Sequence, residues 1–437
     1  MTTESATAME QPAPVTAKER IESLDVVRGF AMLGILGPNI VAFAWPSAAM
    51  TSPAAMGDTP WNQAGHAITS IFFLGKFMAL FAMLFGAGVI VYSRKFEHAP
   101  RCRGCQSDLS GNDPSLPCPH CGEHDPRRGR LRDGAGLWYR RIGFLALFGI
   151  LHAVLLWFGD ILTWYAVTAL LAVWWVRRLT PGVQIGVGVA LHLISTLLLL
   201  GLSALGIWAV AQGHISRDEL MGNQAVEFQG YTGTYLDALL TRLPTLAMFW
   251  LILAPLFTPG VTGLMMIGMG LLRTGVLSGQ RSTRFYTLLA AIGLLGGLGV
   301  TIVGFYGIER LWPGFGGFIW QSCSQFVGIP ISLGYMALLI LLLRTGRFGV
   351  LMHPLAAVGR MALSNYLLQT LLCTTFFYGY GFGYFGRIGY PDLFLVMGAV
   401  WGVNILFSLI WLRFFRFGPA EWLWRSLTYL RPQPMLR

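Results

Sequence analysis

Residues 23–46 read SLDVVRGFAMLGILGPNIVAFAWP, and this stretch decides the fold. Its Ser-Leu-Asp opening is a helix-start signal, and a nearly uncharged run long enough to enter a bilayer follows it. Asp25 and Arg28 stand three residues apart, which on a helix places the carboxylate and the guanidinium on one face, within pairing distance. Because polar groups are costly to bury in lipid, we predict that this pair faces a protein interior or a watery cavity.

The rest of the chain has the composition of a membrane protein. Of its 437 residues, 54% are hydrophobic and 12% are charged, whereas a soluble domain carries about 25% charged residues. The 54 glycines suit close packing of helices in lipid. The composition therefore predicts an all-α, polytopic transmembrane bundle and argues against a soluble globular protein.

Long uncharged stretches predict ten membrane spans. Lysine and arginine concentrate in the N-terminal tail and in alternate loops, which by the positive-inside rule places both termini in the cytoplasm. The predicted spans are 25–46, 67–92, 141–158, 160–177, 183–211, 243–272, 285–307, 318–343, 355–378 and 391–413.

Composition also divides the chain into five segments. The tail is polar and lacks the apolar core of a signal peptide, so we predict that it is disordered and cytoplasmic. The last segment ends in an amphipathic helix, in which Glu421 and Arg425 stand four residues apart. The segments are the tail (1–20), the first two spans (21–98), a cysteine-rich insertion (99–130), the central spans (131–348) and the C-terminal membrane region (349–437).

The most specific motif is C-x2-C-x12-C-x2-C within the insertion. Cys102, Cys105, Cys118 and Cys121 provide four thiolates at the spacing of a closed, ribbon-like zinc site. The loop is rich in arginine and hence predicted to be cytoplasmic, where thiols stay reduced and bind metal rather than form disulfides. Four thiolates leave no open coordination position, so we predict a structural zinc ion that does not activate water.

The basic residues of this loop suit two kinds of partner. They set topology and contact anionic lipid of the bilayer, or they bind nucleic acid. We favour the lipid bilayer over nucleic acid, because the positive-inside bias by itself accounts for the net charge of +11.

His152 is the main candidate for chemistry. It lies eleven residues after Arg141 in the third predicted span, and a neutral imidazole within a membrane suits a general base or a proton relay. Asp160 follows eight residues later, about two helical turns, and supports His152 if the helix continues that far. A structural histidine bonded to a neighbouring carbonyl is the alternative.

Other polar residues of the predicted spans have similar alternatives. Asn365 and Gln369 lie one helical turn apart and either hold helices together or contact a substrate. Lys76 either extends to the membrane surface or pairs with Asp25 or Asp160.

Prolines interrupt the sixth predicted span. Pro255, Pro259 and Gly260 indicate either an ordinary proline kink or a broken helix whose carbonyls face a cavity. The chain contains no phosphate-binding glycine loop with lysine, no serine-hydrolase elbow and no dinucleotide fingerprint.

Several segments resemble the YeiB-like family of bacterial inner-membrane proteins. They include SLDVVRGFAMLGILGPNI, GKFMALFAMLFGAG and RRIGFLALFGILHAVLLWFGDILTWYAV. GRMALSNYLLQT and FGPAEWLWRSLTY resemble the C-terminal domain of unknown function that defines this family. The resemblance covers nearly all of the chain and implies a multi-pass protein of the bacterial inner membrane. The cysteine loop departs from the family pattern as an insertion.

The first-span motif is also similar to membrane acyltransferases of the heparan-glucosaminide acetyltransferase and acyltransferase-three groups. Those enzymes pass an acyl group from a cytoplasmic donor to a sugar or glycan on the far side. In the acyltransferase-three group a basic residue is followed, after ten residues, by a working histidine, whereas here Arg28 is followed by Asn39. Asparagine cannot act as a general base, so position and residue type assign that role to His152, supported by Asp160.

The similarity implies acyl transfer, with acyl-CoA as donor and a glycan or lipid as acceptor. We expect the substrate entrance to contain Asp25, Arg28, Asn39, Lys76, Asn365 and Gln369. A transporter for a small or lipidic molecule, and a scaffold that presents the zinc loop to a partner, are the alternatives.

Overall fold

The computed structural model describes residues 21–94, 105, 117–122 and 134–437. Its regular elements are helices. In addition, Phe415 and Leu436 form one isolated β-bridge. The predicted tail, Cys102 and most of the predicted insertion lie outside these residues. The all-α prediction is therefore confirmed for the part of the chain that the structure describes.

Fourteen helices, numbered here in chain order, make up this part of the chain, together with the short 3₁₀ turns Ser47–Met50 and Pro53–Met56. The helices are α1 (Glu22–Ala44), α2 (Pro60–Ser93), α3 (Ala135–Leu155), α4 (Leu162–Val176), α5 (Pro181–Ala211), α6 (Arg217–Met221), α7 (Gln224–Thr232), α8 (Tyr235–Arg273), α9 (Thr283–Leu311), α10 (Gly316–Thr345), α11 (Gly349–Arg360), α12 (Ala362–Phe377), α13 (Tyr390–Phe414) and α14 (Pro419–Tyr429).

Within the described ranges, eight helices are long and apolar enough to cross a membrane: α1, α2, α3, α5, α8, α9, α10 and α13. A multi-pass membrane protein is thus confirmed. The fourth predicted span is the shorter helix α4, and the ninth is two helices, α11 and α12. Hydropathy does not detect the break between α11 and α12, because Met361, which separates them, is apolar but has a non-helical backbone (φ −114°, ψ 33°).

Helix α1 lies at the centre of the bundle. Most of its residues are buried, and it packs against α2, α11, α12 and α13. Glycines let α1 and α11 meet backbone to backbone: a Cβ on Gly29 would lie 1.8 Å from the carbonyl oxygen of Leu355, and one on Gly359 would lie 1.9 Å from that of Asp25. Large apolar side chains of α5, α9 and α13 are exposed instead and suit contact with lipid.

Helix α8 continues through its prolines. It contains a π-helical segment, Phe249–Leu253, and stays helical to Arg273. Two side chains of α5 bind carbonyls beside the prolines: His192 Nδ1 lies 3.1 Å from the oxygen of Gly260, and Ser195 Oγ donates to that of Leu256 (2.6 Å). The helix is therefore continuous through its prolines, and side chains of α5 bind these two carbonyls.

The turn between α3 and α4 folds inward. Asp160 lies in this turn and is buried, 3% exposed. Its Oδ2 accepts hydrogen bonds from the backbone nitrogen (2.7 Å) and the hydroxyl (2.6 Å) of Thr163. The carboxylate thus binds the first turn of α4, whose backbone N–H groups have no partner within the helix.

Candidate functional site

A cavity of about 310 Å³ lies at the end of the bundle that carries Arg28 and Arg141. We call this end the basic end and the opposite end the outer end. Helices α1, α2, α3, α4, α11, α12 and α14 contribute residues to the lining of the cavity. Its charged lining residues are four arginines and two acids: Arg28, Arg141, Arg360, Arg425, Asp25 and Glu421. The cavity is therefore positively charged.

The predicted pair of Asp25 and Arg28 forms at the wall of this cavity. Nη1 of Arg28 lies 2.9 Å from Oδ1 of Asp25, and both side chains keep some exposure, 29% and 15%. The pair leaves Arg28 partly accessible to a bound molecule.

Arg141 is held against aromatic rings. Its guanidinium carbon lies 4.1 Å from the ring centre of Trp424 and 5.8 Å from that of Tyr92. The indole nitrogen of Trp424 donates to the backbone carbonyl of Arg141 (2.8 Å). Since cation–π contacts orient a guanidinium without neutralising it, Arg141 brings a full charge to the cavity.

Glu421 of α14 binds the beginning of α12. Its Oε1 accepts from the backbone nitrogens of Leu363 (2.7 Å) and Ser364 (3.2 Å), and its Oε2 accepts from the hydroxyl of Ser364. A carboxylate at a helix N-terminus stabilises unpaired N–H groups and the helix dipole. Burial raises the pKa of this carboxyl, and the hydrogen bonds act in the opposite direction. The sequence placed Glu421 four residues from Arg425 in an amphipathic helix and did not indicate this role at the beginning of α12.

His152 and Asp160 meet in a buried cluster beyond the cavity. Nδ1 of His152 lies 3.0 Å from Oδ1 of Asp160, although its N–H bond is not aligned as a hydrogen bond. Nε2 of His152 lies 2.9 Å from the hydroxyl of Thr370. The contact arises because the chain turns back after Leu155, and not from the continuous helix that the spacing suggested.

Tyr366 connects the cavity to this cluster. It lines the cavity, and its hydroxyl donates to Oδ1 of Asp160 at 3.5 Å. The same hydroxyl accepts from the backbone nitrogen of Ile161 (3.2 Å). His152 and Asp160 are 2% and 3% exposed and lie behind Tyr366. Tyr366 was not among the residues that the sequence predicted for the site.

The other predicted entrance residues lie elsewhere. Nδ2 of Asn365 donates to Ser408 (2.8 Å) and to the carbonyl of Val358 (3.2 Å), and Nε2 of Gln369 donates to the carbonyl of Met32 (3.4 Å). These amides hold helices together, the alternative that the sequence analysis left open.

Lys76 and Asn39 are also apart from the cavity lining. Nζ of Lys76 donates to the carbonyl of Ser70 (2.9 Å), in place of the expected pair with Asp25 or Asp160. Lys76 is fully buried and Asn39 is half-buried near the outer end of α1. Of the six predicted entrance residues, the cavity brings together Asp25 and Arg28.

Three of the four predicted metal ligands converge. The sulfur atoms of Cys105, Cys118 and Cys121 lie within 4.8 Å of one another, and those of Cys105 and Cys118 are 3.6 Å apart. Tetrahedral zinc with Zn–S bonds of about 2.3 Å separates its thiolates by about 3.8 Å. The donor set and its spacing therefore fit zinc, and the fourth predicted ligand, Cys102, lies outside the described residues.

Comparison with known proteins identifies relatives along the full length. The model of a family described as a protein of unknown function, DUF418, matches residues 271–431. The chain is 35% identical to the uncharacterized protein YeiB of Escherichia coli (strain K12), over 96% of this chain and 98% of that protein. It is 28% identical to the uncharacterized protein YxaH of Bacillus subtilis (strain 168), over 98% and 99% of the two chains.

A third relative is an uncharacterized 39.9 kDa protein in the amylase 3′ region of Bacillus acidopullulyticus, 26% identical over 97% of this chain and 98% of that protein. No solved structure matches. The names of these relatives state no activity, so the similarity to acyltransferases stays a prediction. The identity and coverage with YeiB confirm the expected family: the chain belongs to the DUF418 family of YeiB-like multi-pass membrane proteins.

Proposed function

We propose that this protein transfers an acyl group from an anionic donor, of which acyl-CoA is the natural example, to a hydroxyl or amine of a glycan or lipid. The observation that carries the proposal is the positively charged cavity that ends at Tyr366, directly before the cluster of Asp160 and His152. The sequence assigns the basic end to the cytoplasm, where such a donor occurs.

The charges of the cavity support an anionic donor. One of its two carboxylates pairs with Arg28, and the other binds the amides of α12. Arg28 and Arg141 both line the cavity, and a bound phosphate group would lower the repulsion between their charges. Arginine binds phosphate oxygens through two parallel hydrogen bonds, which makes it suited to this task.

Apolar side chains in the lining of the cavity are suited to bind an acyl chain. Phe81, Phe85, Leu145 and Leu162 line the cavity beside Tyr366. A volume of about 310 Å³ is at the small end of the range for small-molecule sites, about 300–1,000 Å³. The cavity therefore suits the thioester end of a donor, with the charged end at the arginines.

The buried cluster supports the transfer step. As the acceptor oxygen or nitrogen attacks the thioester carbonyl, its proton moves through the hydroxyl of Thr370 to Nε2 of His152. Asp160 stabilises the resulting imidazolium, and the phenol of Tyr366 donates to the carbonyl oxygen as negative charge develops. The carbon–sulfur bond then breaks, and the thiolate takes the proton from His152, which restores the neutral imidazole.

The cysteine loop has a separate role in this proposal. Cys102, Cys105, Cys118 and Cys121 hold a structural zinc ion that orders the insertion, and the acyl transfer does not use it. Deletion of residues 99–130 tests this division: transfer that survives the deletion supports it, and loss of transfer in a folded protein refutes it.

The proposed activity is tested with purified protein in nanodiscs and labelled acyl-CoA. Membrane lipid and glycan fractions serve as acceptors, and covalent label in the acceptor is measured. We expect His152→Ala to abolish labelling with its thermal unfolding unchanged within a few degrees. His214→Ala is the matched control, since His214 is an exposed histidine of the outer loop, and it should label normally.

Two results would refute the proposal. Equal turnover by His152→Ala removes His152 from the chemistry. Flux of a solute through proteoliposomes, without covalent change and with no labelling of any acceptor, supports the transporter alternative instead.

A further inference from the structure

Arg242 of α8 is a buried charge at the outer end of the bundle. Its side chain is 0% exposed. Nη1 donates to the carbonyl of Val154 (3.0 Å), but Nε and Nη2 have no hydrogen-bond partner among the described residues. Buried donors without partners are rare in folded proteins, so these two require an explanation.

The unpaired atoms lie on one edge of the guanidinium. Nε and Nη2 point side by side, and this edge binds two oxygens of a carboxylate or phosphate in parallel. Arginine does not lose its proton in proteins, so burial cannot be relieved by neutralisation. A buried guanidinium without a counter-charge is costly, and an oxyanion at this edge would both pair the donors and balance the charge.

Further unpaired donors belong to the apolar cluster around this position. The hydroxyl of Tyr378 and the indole nitrogen of Trp157 are buried without a partner in the part of the chain that the structure describes. Tyr231 stacks on Tyr378 with ring centres 4.7 Å apart. Burial raises the pKa of Tyr231, and the charge of Arg242 lowers it, which places the guanidinium close to these rings.

We propose that Arg242 is the centre of an occluded oxyanion-binding site at the outer end, which takes a phosphate group. Phosphate is favoured over carboxylate because the cluster offers more unpaired donors than two carboxylate oxygens need. The phosphate belongs either to a lipid headgroup or to free inorganic phosphate, and both present the same oxygens to the guanidinium.

The site adjoins the proposed chemistry from the outer side. Val154, which binds Arg242, is two residues after His152 on α3. That a phosphate-bearing acceptor occupies the site rests on the acyl transfer proposed above. Binding of the oxyanion does not rest on it and is tested alone.

The test is thermal unfolding of the purified full chain in a neutral detergent, followed by tryptophan fluorescence. One arm adds inorganic phosphate, with sodium chloride at equal ionic strength as its control. The other arm adds phosphatidylglycerol, with diacylglycerol, which has no phosphate group, as its control. We expect the unfolding temperature of the wild type to rise by several degrees in at least one arm, because a ligand that binds the native state stabilises it.

The variants separate a binding site from a structural arginine. Arg242→Gln should need at least tenfold more ligand for the same rise in unfolding temperature, and Arg242→Lys should fall between, since it keeps the charge but loses the bidentate edge. Arg217→Gln is the matched control, because Arg217 is an exposed outer arginine, and it should respond as the wild type does. Without ligand, Arg242→Met should be at least as stable as the wild type, since it removes a buried charge that forms no ion pair with the described residues.

Each outcome decides the question. A response to phosphatidylglycerol alone identifies a lipid headgroup, and a response to inorganic phosphate identifies a free anion. If neither arm stabilises the wild type, or if Arg242→Gln and Arg242→Lys respond as fully as the wild type, the proposal is refuted. If Arg242→Gln fails to fold, Arg242→Lys and Tyr378→Phe decide by the same measure. If only the acyl-transfer proposal is refuted, the proposal of an anion-binding site is unaffected.

Discussion

Removal of the Glu421 carboxylate should loosen the wall of the cavity. Oε1 accepts from the backbone nitrogens of Leu363 and Ser364, and Oε2 accepts from the hydroxyl of Ser364. Glu421→Ala leaves the two backbone donors buried and unpaired, at about 1–3 kcal/mol each, so we expect a loss of roughly 2–6 kcal/mol in the free energy of unfolding. Glu421→Gln keeps one acceptor oxygen and should lose only about 1 kcal/mol.

The same substitution predicts a pH dependence. Burial raises the pKa of Glu421 in the folded protein above its ordinary value of 4.5, against the hydrogen bonds that lower it. Below pH 4.5 the carboxyl is protonated, and its contribution to the stability of the folded state is fully present. This contribution is lost as the pH rises through the raised pKa of the folded protein. Since glutamine does not titrate, the stability of the wild type relative to Glu421→Gln should fall as the pH rises above about 4.5.

The assay is thermal unfolding in nanodiscs between pH 4 and pH 8, with wild type, Glu421→Gln and Glu421→Ala measured together. The difference between wild type and Glu421→Gln cancels the titration of other groups. If that difference grows with rising pH, the charge-assisted hydrogen bonds dominate over burial, and the reasoning is wrong. If Glu421→Ala unfolds within a degree of the wild type, the carboxylate does not stabilise α12.

Three other predictions concern packing, chemistry and metal. Gly359→Ala should lower stability by about 1–3 kcal/mol in thermal unfolding, because its Cβ would lie 1.9 Å from the Asp25 carbonyl oxygen; Gly398→Ala, with open space around it, should not lose stability. If the proposed transfer occurs, Tyr366→Phe should lower turnover about 10²–10³-fold by loss of a donor to the developing oxyanion; unchanged turnover in the labelling assay would exclude that role. Cys118→Ser should lower the zinc content measured by mass spectrometry from one ion per chain, and a wild type that purifies without zinc would contradict the ribbon.

Local features of the chain were predictable from sequence. The apolar runs of about twenty residues indicated membrane helices, because a bilayer imposes that length. The spacing of Asp25 and Arg28 predicted their contact, since residues three apart on a helix are neighbours whatever the fold. The cysteine spacing likewise predicted that the thiolates converge.

The site depends on contacts between residues that are far apart in sequence. His152 and Thr370 are 218 residues apart, and Trp424 meets Arg141 across 283 residues. The spacing of hydrophobic residues does not show which faces of two helices meet. The amides of Asn365 and Gln369 were therefore assigned to an entrance that they do not line.

The sequence by itself determined the class of the protein: a helical, multi-pass membrane chain with a local ion pair and a thiolate motif. Only the tertiary structure decided that Asp160 turns inward to His152, that α14 closes an arginine-lined cavity, and that Arg242 is buried with unpaired donors. The physical reason is that helix formation and membrane insertion depend on neighbours within a few residues. Burial, pairing and the shape of a cavity depend on which helices pack together, which the packing of the whole chain determines.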